Sequence, residues 1–286
     1  MSTIVLLALT GLGLGALYFL IASGLSLIFG LADVLNFAHG LFLAAGAYAT
    51  WWASGRMPLV AAVVVGTLAG TVFAVAVELL LIRPLYARPI QQVLVTVGLA
   101  AAGVALLQGV AGADPVTFPK PGWLSDTTEV LGAAVPNDRF LLIAAALAVL
   151  AALLVFLRRT RYGLIVRAGV EDRAMVTALG IDVRRAFTLV FAIGGAAAAL
   201  AGALAGLYFG SVTPGLGGSL LIFAFIVVVI GGMGSVTGSA AAAVLVGLVQ
   251  QFANYYAAAG VGEASTVLLL AAVLLVRPGG LARRVA

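Results

Sequence analysis

Very few side chains in this sequence are of a type that could perform covalent chemistry. Ser235 and Ser239 lie in a glycine-rich segment and are the candidate nucleophiles of an intramembrane serine protease. A serine nucleophile needs a base within hydrogen-bonding reach, and the single histidine, His39, is far away in the sequence. The chain has no cysteine, which removes thiolate chemistry and disulfides. No second signal supports a protease.

Nucleotide and metal chemistry also lack their usual residues. ATP-binding domains commonly cradle phosphate in a G-x-x-x-x-G-K-[ST] loop, and the sequence contains no such run and no cluster of metal-ligating side chains. We therefore expect no cofactor in this chain.

A few polar side chains interrupt long apolar runs. Asn36 and His39, with Asp33, fall at one interruption, and Glu78 lies in another apolar run with Arg83 five residues later. Polar groups in hydrocarbon are costly unless they face one another, a partner or a water-filled path. Asn36 and His39 therefore either line a solute path or tie a broken helix to its neighbours. Glu78 is expected to form an ion pair near the membrane surface, and a role in proton coupling is the alternative.

The elements that carry these residues are predicted from hydropathy. The chain has 286 residues, of which 64% are hydrophobic and 9% charged, whereas soluble domains carry about 25% charged residues. An apolar run of about 20 residues spans a bilayer as a helix. The sequence therefore predicts an all-α fold, a single polytopic transmembrane bundle over residues 1–286 with eight to ten helices. Nine apolar segments are visible, at about 4–30, 35–53, 58–82, 91–112, 139–158, 186–210, 218–233, 238–256 and 264–277.

The basic residues predict the orientation of the bundle. Cytoplasmic loops of membrane proteins are enriched in Lys and Arg, and one set of loops here holds twelve of the fifteen. The positive charge therefore indicates a membrane and not a nucleic acid. We expect a multi-pass plasma-membrane protein with a cytoplasmic C-terminus and, for nine crossings, an external N-terminus. The twelve are Arg83, Arg88, Arg158, Arg159, Arg161, Arg167, Arg173, Arg184, Arg185, Arg277, Arg283 and Arg284, against Arg56, Lys120 and Arg139.

Several segments depart from simple spans. The breaks at 31–36 and 231–239 are either short turns or one or two discontinuous helices that end within the membrane, which is tolerated where backbone lines a cavity. Residues 113–138 are rich in proline and charge and are predicted to form an external loop with a short interfacial element. Small residues four apart allow close helix packing, which is the role we assign to Gly11, Gly15, Gly202, Gly206 and Gly210.

The cytoplasmic segment 158–185 is the most informative part of the chain. Residues 170–179 have acids at their start and are followed by Gly180, which predicts one short helix that ends at a C′ glycine. At about 1.5 Å per residue it is roughly 15 Å long, half of a bilayer, so it lies along the membrane surface. It either docks into a groove of a partner protein or rests on anionic lipid.

Three stretches resemble the branched-chain amino acid permease family of ABC-type importers. They are LNFAHG at 35–40, the series R-Y-G, R-A, E-D and L-G-I within 161–181, and VIGGMGSVTG at 229–238. They occur in the family's order over nearly the whole chain. Two positions depart from the family pattern: Val176 where alanine is frequent, and Leu41 where many relatives carry an acid.

The resemblance implies a permease that moves solute while other chains hydrolyse ATP. The implied partners are a second homologous permease subunit in a heterodimer, two ATPase subunits that bind ATP and Mg, and an external solute-binding protein, in a bacterial inner membrane. The implied coupling residues are Arg167, Glu171, Asp172, Ala174, Ala178 and Gly180, and the implied solute path or gate comprises Asn36, His39, Gly40, Gly232, Gly234 and Ser235.

The solute itself stays open at this stage. The resemblance implies branched-chain or other hydrophobic amino acids, and permeases of the same family for urea, short amides or small aromatic acids are the alternatives. A self-contained secondary carrier is the rival class, because broken helices are common in carriers as well. A carrier does not need the 158–185 segment, which is the feature that separates the two classes.

Overall fold

The computed structural model describes residues 2–32, 36–86, 88–180, 183–258 and 260–282. Its helices confirm the all-α bundle. Twelve α-helices occur in the described residues, above the expected eight to ten, because three short helices (α5, α7 and α8) add to nine that match the nine apolar segments. They are α1 Ser2–Ala32, α2 His39–Ser54, α3 Leu59–Val77, α4 Pro89–Ala111, α5 Gly122–Ser125, α6 Asn137–Arg159, α7 Arg161–Glu171, α8 Arg173–Ala178, α9 Val183–Phe209, α10 Leu216–Gly231, α11 Val236–Tyr256 and α12 Val261–Val276.

The helices of the bundle fall into two length classes. In the described part of the chain, six helices are long and apolar enough to cross a membrane, namely α1, α3 with its extension, α4, α6, α9 and α11. The extension of α3 is a π-helical turn at Glu78–Ile82 followed by a 3₁₀ turn at Arg83–Leu85. The helices α2, α10 and α12 are shorter, with 16 residues each.

The centre of the bundle is formed by α1 and α9, which are the most buried of the long helices. Glycine sets their approach, because a side chain would collide with the backbone of the facing helix. A Cβ atom at Gly15 would lie 2.6 Å from the Ala243 carbonyl oxygen of α11, and one at Gly194 of α9 would lie 2.9 Å from the Gly24 carbonyl oxygen of α1. Close backbone contact gives the dispersion energy that holds helices together in lipid.

The three glycines at 202, 206 and 210 do not share one role. Gly202 packs on the backbone of Leu43 in α2, which confirms the packing role. Gly206 instead receives the ring of Phe118 from the loop after α4, and Gly210 ends α9 with φ +70°. The prediction of two successive helix-packing steps was therefore wrong for Gly206 and Gly210, because loop residues cover that end of α9.

The two ends of the bundle differ. At one end, which we call the α7–α8 end, a Cβ on Gly30 of α1 would lie 2.9 Å from the Cα of Gly234 and 3.3 Å from Val170 of α7. At the opposite end, the hairpin end, strand β1 (Val116–Thr117) pairs with β4 (Ser211–Val212). A hairpin of β2 (Thr127–Val130) and β3 (Ala133–Pro136) accompanies them, as expected for a loop with its own short structure.

The break before α2 makes it a discontinuous helix. Its first residue, His39, lies beside Ile21 in the middle of α1, because the ring Nε2 is 3.2 Å from the Ile21 carbonyl oxygen. The chain thus returns from the end of α1 to the interior before α2 begins. Residues 33–35, including Asp33, lie outside the described part. The second break is a tight turn at the α7–α8 end, where Gly232 and Gly234 take φ values of +94° and +83°.

Candidate functional site

The segment 158–185 forms two helices where a single helix at 170–179 was predicted. Helix α7 ends at Glu171, and α8 begins at Arg173. Between them Asp172 is extended, and its Oδ1 accepts a hydrogen bond from the Met175 N–H at 2.9 Å. An aspartate in this position satisfies a free N–H of the helix start. Glu171 and Asp172 were predicted to lie in the first turn of one helix. They instead lie at the boundary between α7 and α8, where Asp172 caps α8.

The end of α8 agrees with the prediction. Gly180 has φ +78°, a left-handed value that glycine adopts without steric cost, and its N–H donates to the Thr177 carbonyl at 3.0 Å. Residues Ile181 and Asp182, which complete the loop before α9, lie outside the described residues.

One side of α7 and α8 is buried and the other is free. Val166 and Val176 are 1% and 3% exposed, so they anchor the segment to the bundle. Met175 and Leu179 are 61% and 68% exposed, one helical turn apart. The residue that departs from the family pattern, Val176, thus faces inward. We call Met175, Ala178 and Leu179 the docking face; Arg167, Glu171, Asp172 and Gly180 are also exposed, and the side chain of Ala174 lies outside the described part.

The segment is joined firmly to the helix before it. The Thr160 hydroxyl accepts a hydrogen bond from the Gly163 N–H at 2.9 Å and so caps α7. A Cβ on Gly163 would overlap the Phe156 carbonyl oxygen, so the turn from α6 into α7 requires glycine. The cap and the close backbone contact thus fix the start of α7 against the end of α6.

Helix α7 also packs on α9 and on the end of α1. Val170 packs on Gly30 at the end of α1, and Gly30 packs on Gly234 in the turn between α10 and α11. Three elements from distant parts of the sequence thus meet within van der Waals distance. A displacement of α7 would therefore change its contact with α1 and, through Gly30, the contact of α1 with the α10–α11 turn.

The candidate path residues near the first break form a buried group. Asn36 and His39 are both 0% exposed. The Asn36 Oδ1 accepts a hydrogen bond from the Ala38 N–H at 3.0 Å, while its amide nitrogen and the His39 Nδ1 have no partner in the described residues. Gly40 packs on Gly217 at the start of α10. Unpaired polar atoms of this kind are costly in hydrocarbon, which makes the group a candidate for contact with water or solute.

Helix α4 adds two polar residues to the same region, and the sequence analysis missed them. The Phe37 N–H donates to Thr96 Oγ1 at 3.4 Å, and Gln92 lies one turn away on the same face of α4. They are the buried residues of a helix that otherwise faces outward, at 2% exposure for Gln92 and 0% for Thr96. A signal existed in the sequence, because two polar residues at i, i+4 spacing interrupt an apolar helix.

The second group of path residues is not brought to the first. Gly232, Gly234 and Ser235 form the turn beside Gly30, whereas His39 lies beside Ile21, about 13 Å further along α1 at 1.5 Å per residue. The Ser235 hydroxyl accepts the Gly238 N–H at 3.1 Å and caps α11. The serine protease hypothesis therefore has no base near Ser235 in the described structure.

The C-terminal segment closes this turn. The N–H groups of Leu281 and Ala282 donate to the carbonyls of Ile230 and Gly231 at 2.7 and 3.1 Å. These carbonyls end α10 and would otherwise lack partners. The glycines at 232 and 234 thus serve a compact, hydrogen-bonded turn.

Among the described residues, no group of three or more His, Cys, Asp or Glu side chains converges. At the hairpin end a cavity of about 400 Å³ is lined by Trp51, Trp52, Gly55, Arg56, Thr117 and Pro119. It lies on the surface and not along the bundle axis, since Trp52 is 54% exposed.

Comparison with known proteins identifies the family. The sequence profile described as branched-chain amino acid transport system, permease component, matches residues 7–277 of this chain. The chain belongs to this family. The resemblance inferred from the three sequence stretches is thereby confirmed, and the protein is a multi-pass membrane permease.

Individual relatives cover nearly the full length. The chain is 28% identical over 290 residues to the high-affinity branched-chain amino acid transport system permease protein LivH of Escherichia coli, which covers 96% of this chain and 94% of the relative. It is 28% identical over 289 residues to the corresponding permease BraD of Pseudomonas aeruginosa, with the same coverage. A probable LivH of Methanocaldococcus jannaschii is 23% identical over 92% of this chain and 87% of its own length. No solved structure matches the chain.

Family membership gives the geometry a context. In a permease, a discontinuous helix with buried unpaired polar atoms is a candidate for the solute path, and an exposed surface at one end is a candidate for a partner. The Asn36 group and the docking face meet these two descriptions.

Proposed function

We propose that the protein is the membrane-spanning subunit of an ATP-driven importer for branched-chain or other hydrophobic amino acids. It forms part of the solute path, and separate ATPase subunits that bind ATP and Mg drive it through α7 and α8. Support for the solute comes from relatives named for branched-chain amino acid transport that align along almost the whole chain. Urea, short amides and small aromatic acids are the alternative solutes within the same family.

The docking face is the single observation that carries the coupling proposal. In the short helix α8, Met175 and Leu179 are exposed, while Val176 on the opposite side is buried against the bundle. The helix therefore presents a small, rigid apolar surface. Such a surface fits a groove on another protein, since rigid, partly apolar surfaces bind with little ordering cost. A self-contained carrier, which has no ATPase subunit, does not need the α7–α8 segment. A helix lying on lipid would use the same apolar side chains, and this is the alternative that the test below separates.

The proposed partners follow from the family and from the two ends of the bundle. From the family resemblance we propose a second homologous permease subunit, in a heterodimer, beside this one. The basic α7–α8 end is proposed to be cytoplasmic, and the C-terminus with it, because most of the Lys and Arg residues lie there. An external solute-binding protein would then meet the hairpin end.

Co-purification and reconstitution test the proposal. Expressed with its candidate ATPase and permease partners, the chain is expected to purify as one complex and to accumulate leucine in vesicles only with ATP and the binding protein. Leucine flux by the chain alone, without nucleotide, would establish the carrier instead. Uptake of urea or an aromatic acid in place of leucine would correct the solute and leave the coupling intact.

Single-cysteine labelling tests the orientation, and the natural absence of cysteine makes it clean. Leu179→Cys and Trp123→Cys replace exposed residues at the two ends, 68% and 57% exposed. In right-side-out vesicles a membrane-impermeant maleimide is expected to label Trp123→Cys at once and Leu179→Cys after permeabilisation. The reverse pattern would place α7 and α8 outside and end the coupling proposal.

Variants of Asp172 test whether the coupling segment depends on the helix cap that this side chain forms or on its negative charge. Loss of the cap in Asp172→Ala is expected to destabilise the start of α8 by about 1 kcal/mol and to lower ATP-driven uptake several-fold. Asp172→Asn retains a capping oxygen and is expected to stay near the wild-type rate. Uptake that falls equally in both variants would show that the negative charge itself contacts the ATPase.

A further inference from the structure

A fully buried carboxylate lies near the α7–α8 end of the bundle. Glu78 is 0% exposed, in the turn that follows α3. A lone buried carboxylate is strongly unfavourable unless donors surround it. The sequence analysis expected an ion pair with Arg83, whose Nε lies 3.9 Å from Glu78 Oε1. Arg83 is partly exposed and the distance is long, so this pair alone does not account for the burial.

Two hydroxyl groups complete the site. The Tyr86 hydroxyl donates to Glu78 Oε1, and the Thr188 hydroxyl donates to Oε2 at 2.9 Å. Hydrogen bonds to a charged acceptor are about twice as strong as neutral ones. The Tyr86 ring in turn lies against Phe187, with ring centroids 4.4 Å apart. The carboxylate therefore joins the end of α3 to Thr188 of α9 directly, and to Phe187 through the Tyr86 ring.

The backbone is distorted to make this contact. Residues Glu78–Ile82 form a π-helical turn, in which the Arg83 N–H bonds to the Glu78 carbonyl. A π-turn inserts an extra residue and rotates the side chains that follow it, and such turns occur frequently at functional sites. Here the turn begins at the buried acid and is followed by the 3₁₀ turn that leads to Tyr86.

The position of Thr188 gives the contact its significance. It lies in the second turn of α9, the helix that the chain enters directly after α7 and α8. Further along, α9 packs on the other central helices: a Cβ on Gly194 would lie 2.9 Å from Gly24 of α1, and Gly195 packs on Ala74 of α3. Movement of the coupling segment that enters the bundle through α9 therefore acts on the turn of α9 that Glu78 contacts.

We propose that Glu78, with Tyr86 and Thr188, is a positioning site that transmits movement of the coupling segment from α9 to α3. This inference rests on the proposed function. The coupling segment would then act on the bundle at two places. Val170 contacts α1 next to the α10–α11 turn, and Glu78 links α9 to α3. The site holds the two helices in register, so that ATPase closure moves them as one unit.

The test removes one hydroxyl at a time in the reconstituted complex. Thr188→Val keeps the shape of the side chain, and Tyr86→Phe keeps the ring against Phe187. Each variant is expected to assemble and to retain basal ATP hydrolysis within about twofold, but to transport about fivefold fewer solute molecules per ATP hydrolysed, as expected for a lost coupling contact. Thr188→Ser, which retains the hydroxyl, is expected to restore the wild-type ratio.

Thr71→Val is the matched control, because the Thr71 hydroxyl bonds only to the Thr67 carbonyl of its own helix among the hydrogen bonds described. It is expected to leave the transport ratio unchanged. An unchanged ratio in Thr188→Val and Tyr86→Phe, with or without a fall in assembled complex, would reduce Glu78 to a structural anchor and overturn the inference. A wild-type complex without ATP-driven uptake would overturn the proposed function itself, before any variant is compared.

Discussion

Replacement of Gly202 by valine is expected to prevent stable assembly of the bundle. A Cβ at this position would overlap the Leu43 carbonyl oxygen and approach the Leu43 carbonyl carbon to 2.8 Å. Both contacts are to backbone, so no side-chain rotation relieves them, and α2 must separate from α9. Overpacking of this kind costs about 3 kcal/mol or more, which corresponds to roughly 10 °C in the midpoint of thermal unfolding. Size-exclusion chromatography and thermal unfolding in detergent measure the effect.

Gly109→Val is the control for this prediction. Gly109 lies in the exposed part of α4, and a Cβ there would meet nothing within 4 Å. Because valine adds only lipid contact at this site, the unfolding midpoint is expected to stay within about 2 °C of the wild type. Equal stability of the two variants would mean that α2 and α9 are not in backbone contact.

The second large effect is expected at the docking face. Ala178→Trp places a bulky ring on the exposed side of α8. The double variant with Ala174→Trp extends the same test. If this side enters a groove on an ATPase subunit, the ring excludes α8 from the groove, since packed interfaces match the density of protein interiors. The ATPase subunits are then expected to be lost on purification, and uptake to fall at least about tenfold, which is 1.4 kcal/mol in binding.

Ala134→Trp is the matched control for the docking face. Ala134 is an exposed alanine in β3, at the hairpin end. The ATPase subunits are expected to co-purify with this variant as with the wild type. Retention of the ATPase by Ala178→Trp, with normal uptake, would indicate that α8 lies on lipid and that the subunits meet elsewhere.

Local features of the chain were predicted well. Nine apolar segments became nine helices, since a run of about 20 apolar residues has few alternatives in a membrane. Gly180 ends α8 with positive φ, as a C′ glycine should. In the described residues, Arg56, Lys120 and Arg139 lie together beside the loops of the hairpin end. Each of these predictions depends on a residue and its near neighbours alone.

Features that depend on distant residues were missed or wrong. The acids at 171 and 172 were placed in one helix, because their sequence pattern does not reveal that the Asp172 side chain bonds to the Met175 N–H. Gly206 was assigned to helix packing, but Phe118, which is 2% exposed, covers it. Thr188 carried no signal in the sequence as the partner of a carboxylate 110 residues earlier.

The sequence by itself determined that this protein is a helical membrane permease, because hydropathy, loop charge and three short stretches of residues act locally and survive in any arrangement of the helices. Only the tertiary structure decided which polar groups meet: His39 with Ile21, Phe37 with Thr96, and Glu78 with Tyr86 and Thr188. The physical reason is that a buried polar group must find a partner. Helix packing selects that partner, and the selection depends on glycines spread over the whole chain.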